Sequence, residues 1–132
     1  MSLKAEVLDY AKPEAFAKLP YTYPSWNEIQ GMNRFERTRA RRKFMDDTII
    51  LLRNQIQVRF TNPVRILVDL YFSKKRTRDN DNYGGKWLID AIVRAEILPD
   101  DSNKWIPEPV DVKIIDDEPV SMTMVKIEEI GR

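Results

Sequence analysis

One segment in the middle of the chain constrains the fold most, because its side chains alternate between two sides. Residues 64–72 carry Val, Ile, Val, Leu and Phe at every second position. Period two with β-branched and aromatic residues predicts a strand with one buried face. The turn signal Thr61-Asn62-Pro63 precedes it, and a basic and then acidic run follows.

Two stretches on either side of this strand predict the main helices, over residues 33–57 and 85–97. In the first, apolar residues recur at i, i+4, i+7 and i+11 from Met45, which places them on one helical face. Pro99 ends the second. The strand therefore has an amphipathic helix on each side of it in the chain.

The C-terminal part predicts two further strands, over residues 110–115 and 120–130, joined by a turn at 116–119 into an antiparallel hairpin. The expected fold is α+β. A small mixed or antiparallel sheet of about four strands carries the two main helices on one side. The length of 132 residues predicts a single domain over 1–132.

The N-terminal part is weakly patterned, and residues 1–20 are expected to form an irregular extension. Val7-Leu8-Asp9-Tyr10 is a candidate short strand. Further on, Ser25 predicts a helix N-cap, with Glu28 completing a capping box.

The composition excludes several classes of site. The chain has no cysteine and no histidine, so disulfides, thiolate metal sites, histidine metal sites and histidine-based catalysis are excluded. Any metal must be held by oxygen, which favours magnesium, manganese or calcium. No apolar run approaches the ~20 residues of a membrane span, and the first ten residues lack the apolar core of a signal peptide. A cytoplasmic protein is expected.

The net charge of +1 hides an asymmetry. Residues 1–78 carry 16 Lys and Arg against 8 Asp and Glu, whereas residues 79–132 carry 6 against 13. This division into a basic and an acidic half is typical of a protein with a basic surface for a polyanion beside an acidic site. The alternative is two oppositely charged halves that attract each other in the folded chain.

Two basic segments are candidates for phosphate contact. Residues 34–43 of the first helix carry six cations and one acid, and residues 74–78 carry four cations just before the acidic run. A solvated helix face is the alternative for the first segment. The candidate DNA-binding residues are Lys74, Lys75, Arg76, Arg78, Arg41 and Arg42.

The acidic run offers a metal site. In an extended chain Asp79 and Asp81 project to the same side, where a divalent cation would relieve their repulsion. Asp101 can join them: a helix over 86–96 is about 16 Å long, and the five residues that follow reach about 17 Å when extended. The alternative is that Asp81 or Asn82 caps the following helix.

Lys86 lies one helical turn beyond Asp81. An ammonium beside a metal-bound phosphate stabilises the charge that develops in the transition state. The alternative is an i,i+4 ion pair with Asp90. Asp100 is either a residue that supports the site or an ordinary turn residue.

Taken together, these motifs resemble the RusA-like Holliday junction resolvases. Relative to that family, one residue is inserted between Asn82 and Lys86, where Gly84 and Gly85 stand. The matching segments are Asp79-Asn80-Asp81-Asn82, Lys86, Ile89-Asp90-Ala91-Ile92 and Asp100-Asp101, with Pro24-Ser25-Trp26-Asn27 and Met122 to Ile130 as less specific matches.

The resemblance implies that Asp79, Asp81 and Asp101 bind Mg²⁺, for which Mn²⁺ can substitute, and that Lys86 is catalytic. It implies a homodimeric endonuclease that cuts four-way DNA junctions in recombination and repair. Such a protein acts in the cytoplasm of a bacterial or phage-infected bacterial cell, is often prophage-encoded, and needs neither a membrane nor a small-molecule cofactor. The alternatives are a non-catalytic DNA-binding module of the same fold, or a protein-interaction domain with a structural metal site.

Overall fold

A computed structural model describes residues 13–130. The fold is α+β, as predicted: a four-stranded mixed sheet with two main helices. The candidate strand over residues 7–10 lies outside the described residues. The elements are β1 (Glu14–Leu19), α1 (Trp26–Gly31), α2 (Arg34–Gln55), β2 (Val64–Tyr71), a 3-10 turn (Asn80–Tyr83), α3 (Lys86–Arg94), β3 (Asp111–Ile115) and β4 (Met122–Glu129).

The strand order in the sheet is β1-β4-β2-β3. β4 is antiparallel to both of its neighbours, and β3 runs parallel to β2. The predicted hairpin of β3 and β4 is therefore wrong, because β2 lies between them. The burial of the two strands agrees with this order. Every second residue of β4 is buried, including Val125 and Ile127, whereas β3 has no buried residue, exposes Asp111 and Lys113, and lies at an edge.

β1 forms the other edge of the sheet, so the expectation of an irregular extension over residues 1–20 is wrong for residues 14–19. Its alternate residues Ala15, Ala17 and Leu19 are buried against the helices. The side-chain amide of Gln55, the last residue of α2, brackets the main chain of Lys18. Gln55 Oε1 accepts from Lys18 N at 2.7 Å, and Gln55 Nε2 donates to Lys18 O at 2.9 Å. This amide occupies hydrogen-bonding groups that an edge strand otherwise leaves open.

The helices cover one face of the sheet and enclose the core. α2 confirms the prediction of a helix within residues 33–57, and its residues Met45 and Leu52 face the core, as does Ile56 directly after the helix. The predicted capping box of Ser25 and Glu28 begins α1. Within residues 13–130, no helix combines the length and the apolar character that crossing a bilayer requires.

α3 is shorter than the predicted helix over 85–97. Its last residue is Arg94, and two residues later the backbone turns through a positive φ of 65° at Glu96. The next residue, Ile97, accepts a main-chain hydrogen bond from Phe60 at 3.0 Å. This bond directs the chain back along the core instead of continuing the helix.

Candidate active site

A cleft of about 490 Å³ lies where the start of α1, the 3-10 turn, the start of α3 and the segment between α3 and β3 meet. Three of the four predicted catalytic residues, Asp81, Lys86 and Asp101, line it. Asp81 comes from the turn, Lys86 from the first position of α3, and Asp101 from the loop after that helix. The chain thus doubles back along α3 to bring Asp101 to the cleft that Asp81 lines.

Asp79 does not line this cleft. Its side chain caps the 3-10 turn: Asp79 Oδ1 accepts from Asp81 N at 3.1 Å, and its carbonyl accepts from Asn82 N at 3.0 Å. The predicted role of Asp79 as a metal ligand stays a prediction. The alternative in which Asp81 or Asn82 caps α3 is wrong, because Gly85 occupies the N-cap position.

Two asparagine side chains anchor the turn that carries Asp81. Asn82 Oδ1 accepts from Asn27 N of α1 at 2.8 Å, and Asn80 Nδ2 donates to Val112 O of β3 at 2.9 Å. The turn is therefore tied to a helix on one side and to the edge of the sheet on the other. The first of these bonds brings the Pro24-Ser25-Trp26-Asn27 segment to the cleft.

Gly85 sets the position of Lys86. Its φ of 76° is left-handed, and a Cβ on it would lie 3.2 Å from Tyr23 Oη. That hydroxyl donates to the Tyr83 carbonyl at 2.7 Å. Burial raises the pKa of Tyr23 well above its usual value of 10, so the phenol keeps the proton that it donates. Gly85 thus has a specific backbone conformation that is packed on Tyr23.

We expect Gly85→Ala to lower the free energy of unfolding by about 2 kcal/mol, because an alanine there has a left-handed backbone that costs roughly 1–2 kcal/mol and also presses on Tyr23. Gly84→Ala is the matched control. Gly84 has a right-handed φ of −63° and no neighbour within 4 Å of a Cβ, so its alanine variant should be as stable as the wild type or slightly more stable. Urea unfolding measures both variants. Equal stability of the two variants would contradict the role given to Gly85.

Lys86 is exposed and makes no ion pair with residues 13–130. The predicted alternative, a pair with Asp90, is not formed, because Asp90 accepts from Arg41 of α2 at 2.9 Å instead. A lysine at a helix N-terminus also faces the positive end of the helix dipole. Among residues 13–130 the ammonium therefore has no ion-pair partner at the cleft, where an anion would be stabilised.

The acidic lining of the cleft suits a cation that is only partly held by protein. Asp81 and Asp101 are both exposed to it. In the part of the chain that the structure covers, no three acidic side chains are close enough to hold one ion. Magnesium is commonly bound through one or two carboxylates, with water and substrate phosphate completing its shell. The donor pair Asp81 and Asp101 fits that chemistry, and does not fit a metal site built from protein ligands alone.

Most of the other lining residues were not predicted as part of the site, among them Glu108, Asn103 and Trp26. Glu108 adds a third carboxylate to the lining and accepts from Arg65 Nε at 3.2 Å. The only signal for it was its place between two prolines, which fix an extended segment but say nothing of what that segment approaches.

The predicted DNA-binding residues divide into three groups. Lys74, Lys75 and Arg76 are exposed and form no ion pair within residues 13–130, and the same holds for Arg42. Arg41 pairs with Asp90 across α2 and α3. The remaining one, Arg78, is turned inward.

Arg78 is a correction to the predicted DNA-binding set. Its side chain is only 7% exposed and pairs with Asp116 of the segment between β3 and β4. Its guanidinium stacks over Phe72, with Cζ 3.8 Å from the ring centroid. The ion pair and the contact with the ring offset the cost of removing this cation from solvent. Arg78 therefore holds the basic segment 74–78 against the sheet instead of facing a ligand.

The comparisons with known proteins do not extend these observations. No family model matches the chain, and no curated protein is significantly similar to it. The resemblance to the RusA-like resolvases therefore stays a prediction from the motifs.

Proposed function

We propose that this protein is a magnesium-dependent endodeoxyribonuclease that cleaves branched DNA, with four-way junctions as its substrate. The observation that supports it most is that Asp81, Asp101 and Lys86 line one cleft. Two carboxylates with an unpaired ammonium are suited to phosphodiester hydrolysis, and the chain has no histidine or cysteine that would offer another nucleophile or base of those types.

Each residue has a separate task in this proposal. Asp81 and Asp101 would hold magnesium, which when bound stabilises charge on the reacting phosphate. Lys86 binds the scissile phosphate and stabilises the negative charge that develops on it. The hydrogen-bonded turn holds the backbone of Asp81 in place before the substrate arrives, which lowers the cost of bringing the groups together.

The exposed cations bind the DNA backbone. Lys74, Lys75 and Arg76 precede the turn that carries Asp81, and Arg42 lies on α2 next to Arg41, which is paired to α3. Contacts of this kind position DNA on the protein and do not read its sequence. Two copies related by a two-fold axis would present two clefts to the two equivalent strands of a four-way junction.

The second candidate is a DNA-binding module of the same fold without catalysis. It is favoured by one observation: residues 13–130 contain no assembled group of three acidic side chains. On this alternative Asp81 and Asp101 are turn residues, and DNA binding depends on the cations alone.

Nicking of a synthetic four-way junction separates the two candidates. We expect cleavage in Mg²⁺ or Mn²⁺ and none in EDTA. Asp101→Asn should abolish it, whereas Asp100→Asn should cleave like the wild type, because Asp100 lies outside the cleft lining and accepts from Ser102 N, which an asparagine also can do. Junction binding without cleavage in any divalent ion would favour the non-catalytic module.

A further inference from the structure

We propose that Trp26 stacks on an unpaired nucleobase beside the scissile phosphate and so makes the cleft selective for branched over continuous duplex DNA. The inference rests on the proposed function and names the feature of the substrate that the site recognises. It begins from exposure: the Trp26 side chain is 52% exposed and lines the same cleft as Asp81, Lys86 and Asp101.

The other two tryptophans show that this exposure is particular to Trp26. Trp87 is buried in the core and packs near Phe44, and Trp105 is partly buried against the core. An indole ring is usually largely removed from water, since it carries a large apolar area. A half-exposed tryptophan in a concave, charged cleft therefore favours a ligand that offers a flat apolar surface there.

The fold does not need the Trp26 ring at this position. Helix α1 is capped by Ser25 and Glu28, and its link to the 3-10 turn uses the main-chain N–H of Asn27. These bonds fix the backbone on both sides of Trp26. They hold Trp26 at the cleft, and none of them involves the indole ring.

The same bonds place the ring close to the proposed reaction site. Asn27, which follows Trp26, is joined at 2.8 Å to the side chain of Asn82, which follows Asp81. A nucleotide whose phosphate lies at Asp81 and Lys86 therefore has its base within reach of the Trp26 ring. Within a nucleotide, only the sugar separates the base from the phosphate. Every base has a π-face on which an indole can stack.

The apolar part of the lining agrees with this ligand. Pro24 and Ile29 lie beside Trp26, and Pro107 and Pro109 contribute from the segment that also carries Glu108. In a continuous duplex the base faces are covered by their neighbours, whereas bases at a branch point or in a single strand are free to stack on a side chain. The cleft thus combines a charged part for phosphate with an apolar part for an exposed base.

Binding in EDTA tests the inference without cleavage. A fluorescently labelled four-way junction and a linear duplex of the same length are titrated with wild type, Trp26→Ala and Trp26→Phe. Base–aromatic stacking is worth about 1–3 kcal/mol, so Trp26→Ala should weaken junction binding between about 5-fold and 150-fold while duplex binding stays unchanged. Trp26→Phe should recover most of the loss.

Phe35→Ala is the matched control. Phe35 is 77% exposed on the neighbouring helix α2 and does not line the cleft, so its loss should change neither titration. A junction carrying 2-aminopurine at the branch point gives a second readout: wild type should quench it, and Trp26→Ala should not.

The inference is overturned if Trp26→Ala binds the junction as tightly as wild type, or if it loses junction and duplex binding equally. It is also overturned if Trp26→Ala instead dissociates a protein oligomer in sedimentation, because the ring then covers a protein surface. These outcomes differ from failure of the proposed function, which is absence of metal-dependent nicking by the wild type, whatever the ratio of junction to duplex binding.

Discussion

Asp81→Asn is expected to reduce magnesium-dependent cleavage of a four-way junction by at least about 100-fold, while binding of the same junction in EDTA stays within about twofold. The substitution keeps the shape of the side chain and removes its charge, so the proposed magnesium site loses one of its two carboxylate ligands, Asp81 and Asp101. A 100-fold loss corresponds to about 2.7 kcal/mol of transition-state stabilisation. Folding should not change, since the Asp81 side chain is exposed and only its main-chain N–H bonds to the cap.

Single-turnover cleavage with protein in excess measures the chemical step, and anisotropy in EDTA measures binding. Asp79→Asn is the informative companion variant, because asparagine keeps an oxygen that can accept from Asp81 N and so preserves the cap. A cleavage loss as large as that of Asp81→Asn would assign Asp79 to the metal, as the family resemblance implies. Cleavage at the wild-type rate by Asp81→Asn would remove Asp81 from the mechanism.

Arg78→Ala is expected to lower the free energy of unfolding by about 3 kcal/mol and the melting temperature by roughly 10 °C. The loss arises because the substitution leaves the partly buried carboxylate of Asp116 without its cation and removes the packing on Phe72. Arg78→Lys should recover only part of this stability, since an ammonium lacks the planar group that stacks on the ring.

Arg76→Ala is the control for that substitution. Arg76 lies two residues away in the same basic segment, residues 74–78. It is exposed and forms no ion pair with residues 13–130. Its loss should change stability by less than about 0.5 kcal/mol. Loss of Arg76 should instead reduce the steepness of the plot of log DNA-binding constant against log salt concentration by about 0.9, which corresponds to one lost phosphate contact. If Arg78→Ala unfolded like the wild type and weakened DNA binding in the manner of Arg76→Ala, then Arg78 would be a DNA contact.

The elements that could be predicted from sequence are those with a long local pattern. β2 alternates over eight residues and α2 keeps an apolar face over three turns, so neither depends on distant partners for its identification. β1 was missed because its buried positions include two alanines, whose small side chains give a weak alternation, and because prolines flank it. The pairing of β3 with β2 was missed because a short connection favours a hairpin, whereas in the sheet β2 lies between β3 and β4 and pairs with both.

The same distinction applies to the site. Asp81, Lys86 and Asp101 are close enough in sequence for helix length and chain reach to suggest that they meet. Trp26 and Glu108 reach the cleft from segments that no local spacing relates to Asp81. The inward turn of Arg78 depends on Asp116, 38 residues further along the chain, and a run of cations shows no sign of which one will be withdrawn from solvent.

The amide of Gln55 affects how two copies of this chain can meet. Since it already satisfies Lys18 on the outer side of β1, a strand from another molecule would have to displace it before the two sheets could merge there. Association through a continuous intermolecular sheet at that edge is therefore disfavoured, as is polymerisation by repeated strand addition. Two copies that met at the β1 edge would therefore have to pack one surface on another, and side chains instead of strand register would set the relative orientation of their clefts.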